Sequence, residues 1–343
     1  MSEIIKIPIV TILMPVYNGE KYIKESIDSI LSQTFCDFIF IIIDDGSTDN
    51  SINIIKSYNE PRIKLLSNKK NLGISTSLNI AIKKSNSKYI ARMDSDDISL
   101  PNRIEEQVKF MENHPDIGVC GTFIKTFGSQ KSKTLKLPIK NDDIKIRLLF
   151  QNPLAHPTVM IRKKVLDINN LKYDSNYNGA EDYELWVRLI EKTIIWNLPK
   201  TLIRYRLHEK NISKINFNTQ KYLTEKIITY QLKKLDITPS EEELKIHQMN
   251  FSNLNYSKKE LIKKEEEWLI KLINSNKSNK IYPENKFIEF IIERWLKIYL
   301  VNTKLEFDAW KTFWKYEIIK NIKSQRHILI FKLTIKLIFK KII

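Results

Sequence analysis

Cysteine is scarce: Cys36 and Cys120 are the only two in 343 residues. That excludes a disulfide framework and a thiolate zinc site, and it makes a reducing, cytoplasmic setting the expectation. No run approaches the roughly 18 apolar residues of a membrane-spanning helix, and the opening MSEIIKIPIV lacks the layout of a signal peptide. Glycine is nearly as rare. There are seven, none beyond Gly179, and past Pro199 only Pro239 and Pro283 interrupt the chain. With so few turn formers, the C-terminal third reads as helices joined by polar links such as residues 274–280. Neither Gly-x-Gly-x-x-Gly nor Gly-x-x-x-x-Gly-Lys-Ser/Thr occurs, so the usual dinucleotide and triphosphate cradles are absent.

What is present is ordinary globular material, 42% apolar and 28% charged, enough to bury a core. The charge is lopsided. Lys and Arg number 57 against 40 Asp and Glu, a net +17, and residues 211–343 hold 26 basic against 15 acidic residues. From Lys311 onward there are nine basic residues and one acidic. A basic tail of this kind favours a polyanionic surface, nucleic acid or an anionic membrane leaflet.

In the first two-thirds, short apolar runs alternate with helical spacing. Residues 9–14, 38–43, 63–66, 88–93 and 117–121 read as strands. Residues 20–33, 48–58 and 74–84 read as helices, as does the stretch from Pro101 to near His114. Residues 38–43 are six apolar residues in a row, long enough for a strand buried on both faces. This rhythm predicts an α/β fold with a mostly parallel sheet flanked by helices, followed by an α-helical C-terminal region. Ligands bind at the carboxyl ends of such strands.

Those ends carry polar and turn-forming residues: Pro15-Val16-Tyr17-Asn18, then Asp44-Asp45-Gly46-Ser47-Thr48-Asp49, then Asn71-Leu72-Gly73, then Asp94-Ser95-Asp96-Asp97. Any one of these is more often a turn with a helix cap. All four at successive strand ends make a rarer coincidence. Three carboxylates within four residues repel one another unless a cation lies among them, and hard oxygen donors suit Mg²⁺ or Mn²⁺. A metal-held diphosphate is the remaining way for this chain to bind a nucleotide.

These four segments, with the run Ala91-Arg92-Met93-Asp94-Ser95-Asp96-Asp97-Ile98, resemble the motif series of glycosyltransferase family 2, over roughly residues 9–210. The resemblance implies the GT-A (Rossmann-like) fold and inverting transfer from a nucleotide-sugar. The domains it implies are a GT-A transferase domain at 1–210 and a basic helical region at 211–343. It also implies nucleotide-sugar binding by Pro15, Val16, Tyr17, Asp45, Asn71, Arg92, Asp94 and Ser95. Tyr17 stacks near the uracil and Asp45 bonds the nucleoside. Asn71 lies beside the base, and Asp94 holds the ribose or donor sugar. The metal ligands implied are Asp96 and His208. Family members often carry Arg where this chain has Leu78, which leaves Arg92 or Arg103 to replace that contact.

Inverting transfer needs one base for the acceptor hydroxyl. Asn178-Gly179-Ala180-Glu181-Asp182-Tyr183-Glu184-Leu185-Trp186 resembles the family's Glu-Asp motif at a helix start, making Asp182 the base and Glu181 the residue that binds or orients the acceptor. Read without the family, the pair is also a plausible helix cap. Residues 152–162 resemble the strand preceding the base, with His156 at the donor-sugar or acceptor pocket. Residues 204–213 resemble the segment folding over the diphosphate, where Arg204 or Arg206 pairs with phosphate and one of the two faces solvent.

At the C-terminal end, Lys332, Lys336 and Lys340 share one helical stripe opposite Phe, Ile and Leu, which fits a helix lying in a membrane interface. A core-packing or dimer helix is the bland alternative, so a homodimer stays open. The combined expectation is a cytoplasmic enzyme on the inner face of the cell membrane. It would use Mn²⁺ or Mg²⁺ to move a hexose or N-acetylhexosamine from a UDP-sugar donor to a lipid-linked saccharide acceptor, in lipooligosaccharide or capsule assembly. The wording of the motifs is similar to bacterial β-1,3 galactosyl- or N-acetylhexosaminyl-transferases. The alternatives are a non-catalytic scaffold of a glycan-assembly complex and a basic nucleic-acid-binding protein. Against nucleic acid, carboxylates cluster where phosphate would dock and no such binding motif occurs.

Overall fold

The computed structural model describes residues 7–208, 217–249 and 257–302. The chain forms two compact units, one up to Ile227 and one from Ile228. The basic stretch at residues 326–341 lies outside the described residues, as do residues 209–213 of the segment after Arg204.

The first unit is built on one nine-stranded sheet. Its first half alternates as the apolar rhythm requires: β1 (Val10–Val16), α1 (Ile23–Leu31), β2 (Phe38–Asp44), α2 (Ser51–Lys56), β3 (Ile63–Ser67), α3 (Ile74–Lys84) and β4 (Tyr89–Arg92). The four strands pair in parallel in the order β3-β2-β1-β4. Val16 aligns with Asp44, and Asp44 with Ser67, so the polar strand ends emerge along one rim.

The second half is mixed. It comprises β5 (Ile98–Ser99), α4 (Arg103–Asn113), β6 (Ile117–Gly128), β7 (Thr134–Leu135), α5 (Asn141–Leu148), β8 (Met160–Arg162), α6 (Lys163–Ile168), α7 (Glu181–Leu189) and β9 (Ile194–Leu207). The short β8 joins β4 to β6 and runs antiparallel to both, whereas β6 and β9 are parallel. Residues 152–162 are therefore mostly turn, with a single 3₁₀ turn at His156–Thr158 before the three-residue strand.

Alternation along the strands splits the core in two. Val10, Ile12, Met14, Phe38, Phe40 and Ile42 pack with α1 and α4 through Ile23, Ile27, Ile104, Val108 and Met111. Leu13, Ile41 and Ile43 pack with α3, α5 and α7 through Leu78, Ile144, Leu148, Leu185, Trp186 and Leu189. Helices thus cover both faces.

The helix α8 (Phe217–Lys233) runs across the boundary between the units, and α9 (Glu241–His247), α10 (Lys258–Asn279) and α11 (Glu284–Asn302) follow. Ser240 with Glu243 and Ser257 with Glu260 form reciprocal capping boxes that start α9 and α10. One expectation is corrected here. The polar stretch 274–280 is not a link, because α10 continues through Asn279 and stops at Lys280, whose φ is +54°. The buried Asn276 amide explains this: its Nδ2 donates to the Tyr282 carbonyl at 3.1 Å and its Oδ1 accepts the Tyr282 N–H at 2.9 Å. Tertiary pairing overrides the weak helix propensity of Asn and Ser.

Candidate active site

The turn after β1 is laced to the turn after β2. Asn18 N–H donates to Ser47 Oγ, Thr48 N–H to Asn18 Oδ1, Gly19 N–H to Ser51 Oγ and Glu20 N–H to Asp49, each at 2.9 Å. Asp44 accepts from the Gly46 and Ser47 backbone as an Asx turn. This lacing fixes Tyr17, which is 51% exposed, beside buried Val16 and half-buried Pro15. Asp45 is buried, and both of its oxygens are engaged. Oδ1 accepts from Leu72 N–H at 2.9 Å and Asn68 Nδ2 at 2.8 Å, and Oδ2 accepts from Gly73 N–H at 2.9 Å. Asn71, on that same loop, is exposed and accepts from Gly73 N–H at 3.1 Å. Asp45 thus organises the loop on which Asn71 stands.

Beyond β4 the chain delivers the acidic loop. Carboxylate oxygens of Asp94, Asp96 and Asp97 lie within 4.8 Å of one another. Each has a positive or donating neighbour. Arg92, buried in β4, pairs with Asp94. His208 Nε2 lies 2.8 Å from Asp96 Oδ2, and Arg206 N–H donates to Asp97 Oδ1 at 2.8 Å. Asp97 Oδ2 is buried with no hydrogen-bond partner among the described residues. Burial, with the neighbouring carboxylates adding to it, raises Asp97 well above the ordinary carboxylate range, and burial raises Asp94 against the pull of Arg92. Ser95 sits half-buried within the loop.

At the end of β9 Arg206 reaches back into this loop. Its Nε donates to the Asp96 carbonyl at 2.7 Å and its Nη2 to Glu25 at 2.8 Å. Arg204 and Arg206 both stack on Phe127, with Arg204 the exposed one. Arg103 is fully buried and directs its donors to the Arg92 carbonyl, Gln107 and the Met93 sulfur, so it supports the strand from behind. Of the two candidates for the contact missing at Leu78, only Arg92 faces the acidic loop.

The Glu-Asp pair opens α7, as the spacing of Leu185, Trp186 and Leu189 requires. Negative charge in a first turn suits the helix dipole. Gly179, at a φ of +100°, turns the chain into the helix, and its N–H donates to Glu181 Oε2 at 2.6 Å. Asp182 accepts from Tyr183 N–H on Oδ1 at 2.7 Å and from Asn152 Nδ2 on Oδ2 at 2.8 Å. Burial and the Asp182 charge push Glu181 up to about 7; burial also raises Asp182, whose two N–H bonds oppose the shift. His156 is buried with Nε2 2.8 Å from Tyr173 Oη and Nδ1 3.9 Å from Glu181. Burial and the charge of Arg92 hold it well below the ordinary imidazole range, and hence neutral.

Three asparagines were given no role of their own in the sequence analysis. Asn79 exchanges two hydrogen bonds with the Tyr173 backbone, Asn178 accepts from Ser75 N–H, and Asn152 holds Asp182. They tie the start of α3 to the approach of α7, so the Asn71 loop and the Glu-Asp pair are held in one frame. The only sequence signal was their residue type: Asn can both donate and accept at a buried turn.

The glycosyl transferase family 2 model matches residues 11–168. The chain is 36% identical to an uncharacterized glycosyltransferase of Haemophilus influenzae over 246 residues, covering 67% of this chain and 76% of that protein. It is 39% identical to the O-antigen biosynthesis glycosyltransferase WbnJ of Escherichia coli over 214 residues, covering 60% of this chain and 82% of that protein. The crystal structure of S. aureus TarS 1–349 in complex with UDP shares the fold. Its TM-score is 0.55 at 19% identity, over 84% of this chain and 82% of that chain. The mostly parallel, helix-flanked GT-A architecture expected from the strand rhythm and the motifs is the one observed. With relatives this similar across most of their own length, the chain belongs to glycosyl transferase family 2 and is a glycosyltransferase.

Proposed function

We propose that the protein is an inverting, metal-dependent transferase that moves a hexose or N-acetylhexosamine from a UDP-sugar to a growing surface glycan. One observation carries this reading. At the end of β4, carboxylate oxygens of Asp94, Asp96 and Asp97 converge within 4.8 Å of one another, with Arg92 paired to Asp94 and His208 2.8 Å from Asp96. The names and complexes of similar proteins support it. WbnJ is named for O-antigen biosynthesis and AmsE of Erwinia amylovora for amylovoran biosynthesis. TarS has been crystallised with UDP and UDP-GlcNAc, and a Pyrobaculum calidifontis mannosyltransferase with GDP-Man and Mn²⁺.

The acidic loop fits a divalent cation. Three crowded carboxylates, two of them raised by burial, and an orphaned Asp97 oxygen are the features that Mg²⁺ or Mn²⁺ would relieve. Asp96, with His208 beside it, would hold the ion, and Asp94 would hold the ribose or donor sugar. When bound, such an ion stabilises charge on the departing diphosphate. The remaining work belongs to side chains. Tyr17 stacks on the base, flanked by Pro15 and Val16, and Asp45 and Asn71 shape the nucleoside pocket. Arg92 and Ser95 contact the donor, and Arg204 or Arg206 faces phosphate. Asp182 takes the acceptor proton, while Glu181 and His156 line the acceptor side.

The transferase domain occupies residues 1–210. The basic region 211–343 carries the enzyme to an anionic inner membrane leaflet, where a lipid-linked acceptor lies. Each Lys near anionic lipid adds on the order of 1 kcal/mol. Full-length protein is expected to sediment with anionic liposomes far more than a chain truncated before Arg326. Equal partitioning removes the membrane assignment.

The decisive test is a panel of UDP-sugars with Mn²⁺, read as UDP release with and without saccharide acceptors. One donor is expected to turn over, with chelation abolishing the reaction. Asp182→Asn is expected to lose transfer at least about a thousandfold while still binding UDP, and Asp96→Asn to lose the Mn²⁺ dependence of UDP binding. Full transfer by Asp182→Asn, or metal-independent turnover, overturns the mechanism.

A further inference from the structure

The two neighbouring carboxylates at the start of α7 are held differently. Asp182 receives an N–H on each oxygen, from the Tyr183 backbone and from Asn152 Nδ2. Glu181 is held by backbone N–H groups alone, that of Gly179 at 2.6 Å and its own, with no side-chain donor among the described residues; its Oε1 stands 3.9 Å from His156 Nδ1, too long for a hydrogen bond. Around Asp182 stand Glu181 on its own helix, Arg92 on β4, Asp94 just beyond β4 and the Tyr173 hydroxyl before α7. Arg92 is the cation of this group, and it is paired with Asp94.

Two adjacent carboxyls in a sheltered site do not ionise together easily, and the proton stays on the one that lacks the extra side-chain donor. Asn152 is built to supply the deciding donor. Its Oδ1 accepts Leu154 N–H at 3.1 Å, which fixes the amide so that Nδ2 meets Asp182. The Tyr183 hydroxyl donates to the Leu148 carbonyl, anchoring α7 to the end of α5 just ahead of Asn152.

We propose that Asn152 is a positioning residue for the acceptor base: its amide donor makes Asp182 the ionised member of the pair and leaves the proton on Glu181, which then donates to the acceptor saccharide. In the transfer, Asp182 takes the proton of the acceptor hydroxyl as that oxygen bonds to the anomeric carbon. The bond from this carbon to the diphosphate breaks, and its electron pair departs with UDP. The assignment rests on Asp182 being the base, so the experiment separates the two claims.

The pH dependence of UDP release from UDP-N-acetylglucosamine and UDP-galactose is measured with Mn²⁺ for the full-length protein, Asn152→Asp, Asn152→Ala and Asp182→Asn. Asn152→Asp is nearly isosteric and replaces the donor with an acceptor. Its acid limb in kcat/KM is expected to move up by about one pH unit, a roughly tenfold loss below the limb. Rates converge on the alkaline plateau and donor KM is unchanged; a lost packing contact would instead lower the whole curve. A second readout needs no turnover. ¹³C NMR of labelled aspartate carboxyls, with Asp182 assigned by its absence in Asp182→Asn, is expected to give a higher titration midpoint in Asn152→Ala. An unmoved limb or midpoint, with Asp182→Asn inactive, overturns the role of Asn152 alone. Full transfer by Asp182→Asn overturns the base assignment and the Asn152 role together.

Discussion

Gly46 has a φ of +77°, and a Cβ there would come within 2.6 Å of the Lys70 carbonyl carbon and 2.8 Å of the Asn71 nitrogen. Gly73 also has a positive φ, +85°, but its nearest neighbour is the end of the Asn178 side chain. The difference decides what alanine does. Both substitutions force a side chain to positive φ, at a cost of about 1–3 kcal/mol, and Gly73, with a ψ of 155°, lies in the region that glycine alone adopts readily. At Gly73 the Asn178 amide can swing aside, at the cost of its bond from Ser75. At Gly46 the obstacle is backbone, so the loop that Asp45 holds must move. Urea unfolding is expected to show Gly46→Ala losing about 3 kcal/mol or more and Gly73→Ala about half that. Calorimetry with UDP is expected to show the larger loss of affinity in Gly46→Ala, because Asn71 is displaced with the loop. Equal effects would mean that the Lys70–Asn71 backbone is not the constraint.

Between elements, the acidic loop is held from the side by a strand far away in sequence. Arg206 at the end of β9 bonds the Asp96 carbonyl through its side chain and Asp97 through its backbone, and it stacks on Tyr22 and Phe127. Its ion pair with Glu25 involves a carboxylate whose side chain is 58% exposed, and such pairs contribute about 0–1 kcal/mol. Glu25→Gln is therefore expected to change little. Arg206→Met keeps an apolar contact with the two rings but loses the guanidinium that stacks on them and donates to Asp96, and its Mn²⁺ requirement is expected to rise about tenfold while the thermal midpoint moves by only a few degrees. An Mn²⁺ titration of UDP binding alongside a melting curve checks both. That brace was not legible in sequence, where Arg204 or Arg206 read as a partner of phosphate and one of the two as facing solvent. The parallel half of the sheet was legible because each strand is a short apolar run with a helix of matching period behind it. The mixed half was not. A three-residue β8 and a β6 running on through Gly128 owe their state to partners more than 30 residues away, which no local period records. Carboxylates at strand ends announced the acidic loop, but nothing in the residue types announced that Asn152, 30 positions away, would bond Asp182.

At the scale of the whole molecule, net charge and local burial pull stability in opposite directions as pH changes. With +17 at pH 7, acidification adds positive charge and self-repulsion, which favours unfolding. Glu265 in α10 works the other way. It is fully buried, its Oε1 accepts from Arg294 Nε at 3.0 Å, and its Oε2 has no partner among the described residues. Burial outweighs Arg294 and pushes it up to about 7, against an ordinary value of 4.5. Between those values the folded chain binds a proton that the unfolded chain has released, so the stability from this group falls as pH rises from about 4.5 to about 7. Above that its ionisation cost is fully present. The span corresponds to about 3 kcal/mol. Glu265→Gln has no proton to bind, so this slope is expected to vanish from it while the repulsion term stays. The informative quantity is the difference in unfolding free energy between wild type and Glu265→Gln across pH 5 to 8, measured by urea titration. It is expected to shift steadily against the wild type as pH rises and to level off above about 7. A difference that stays constant with pH would mean that Arg294 holds Glu265 ionised throughout, and that the helical unit carries a permanent buried ion pair.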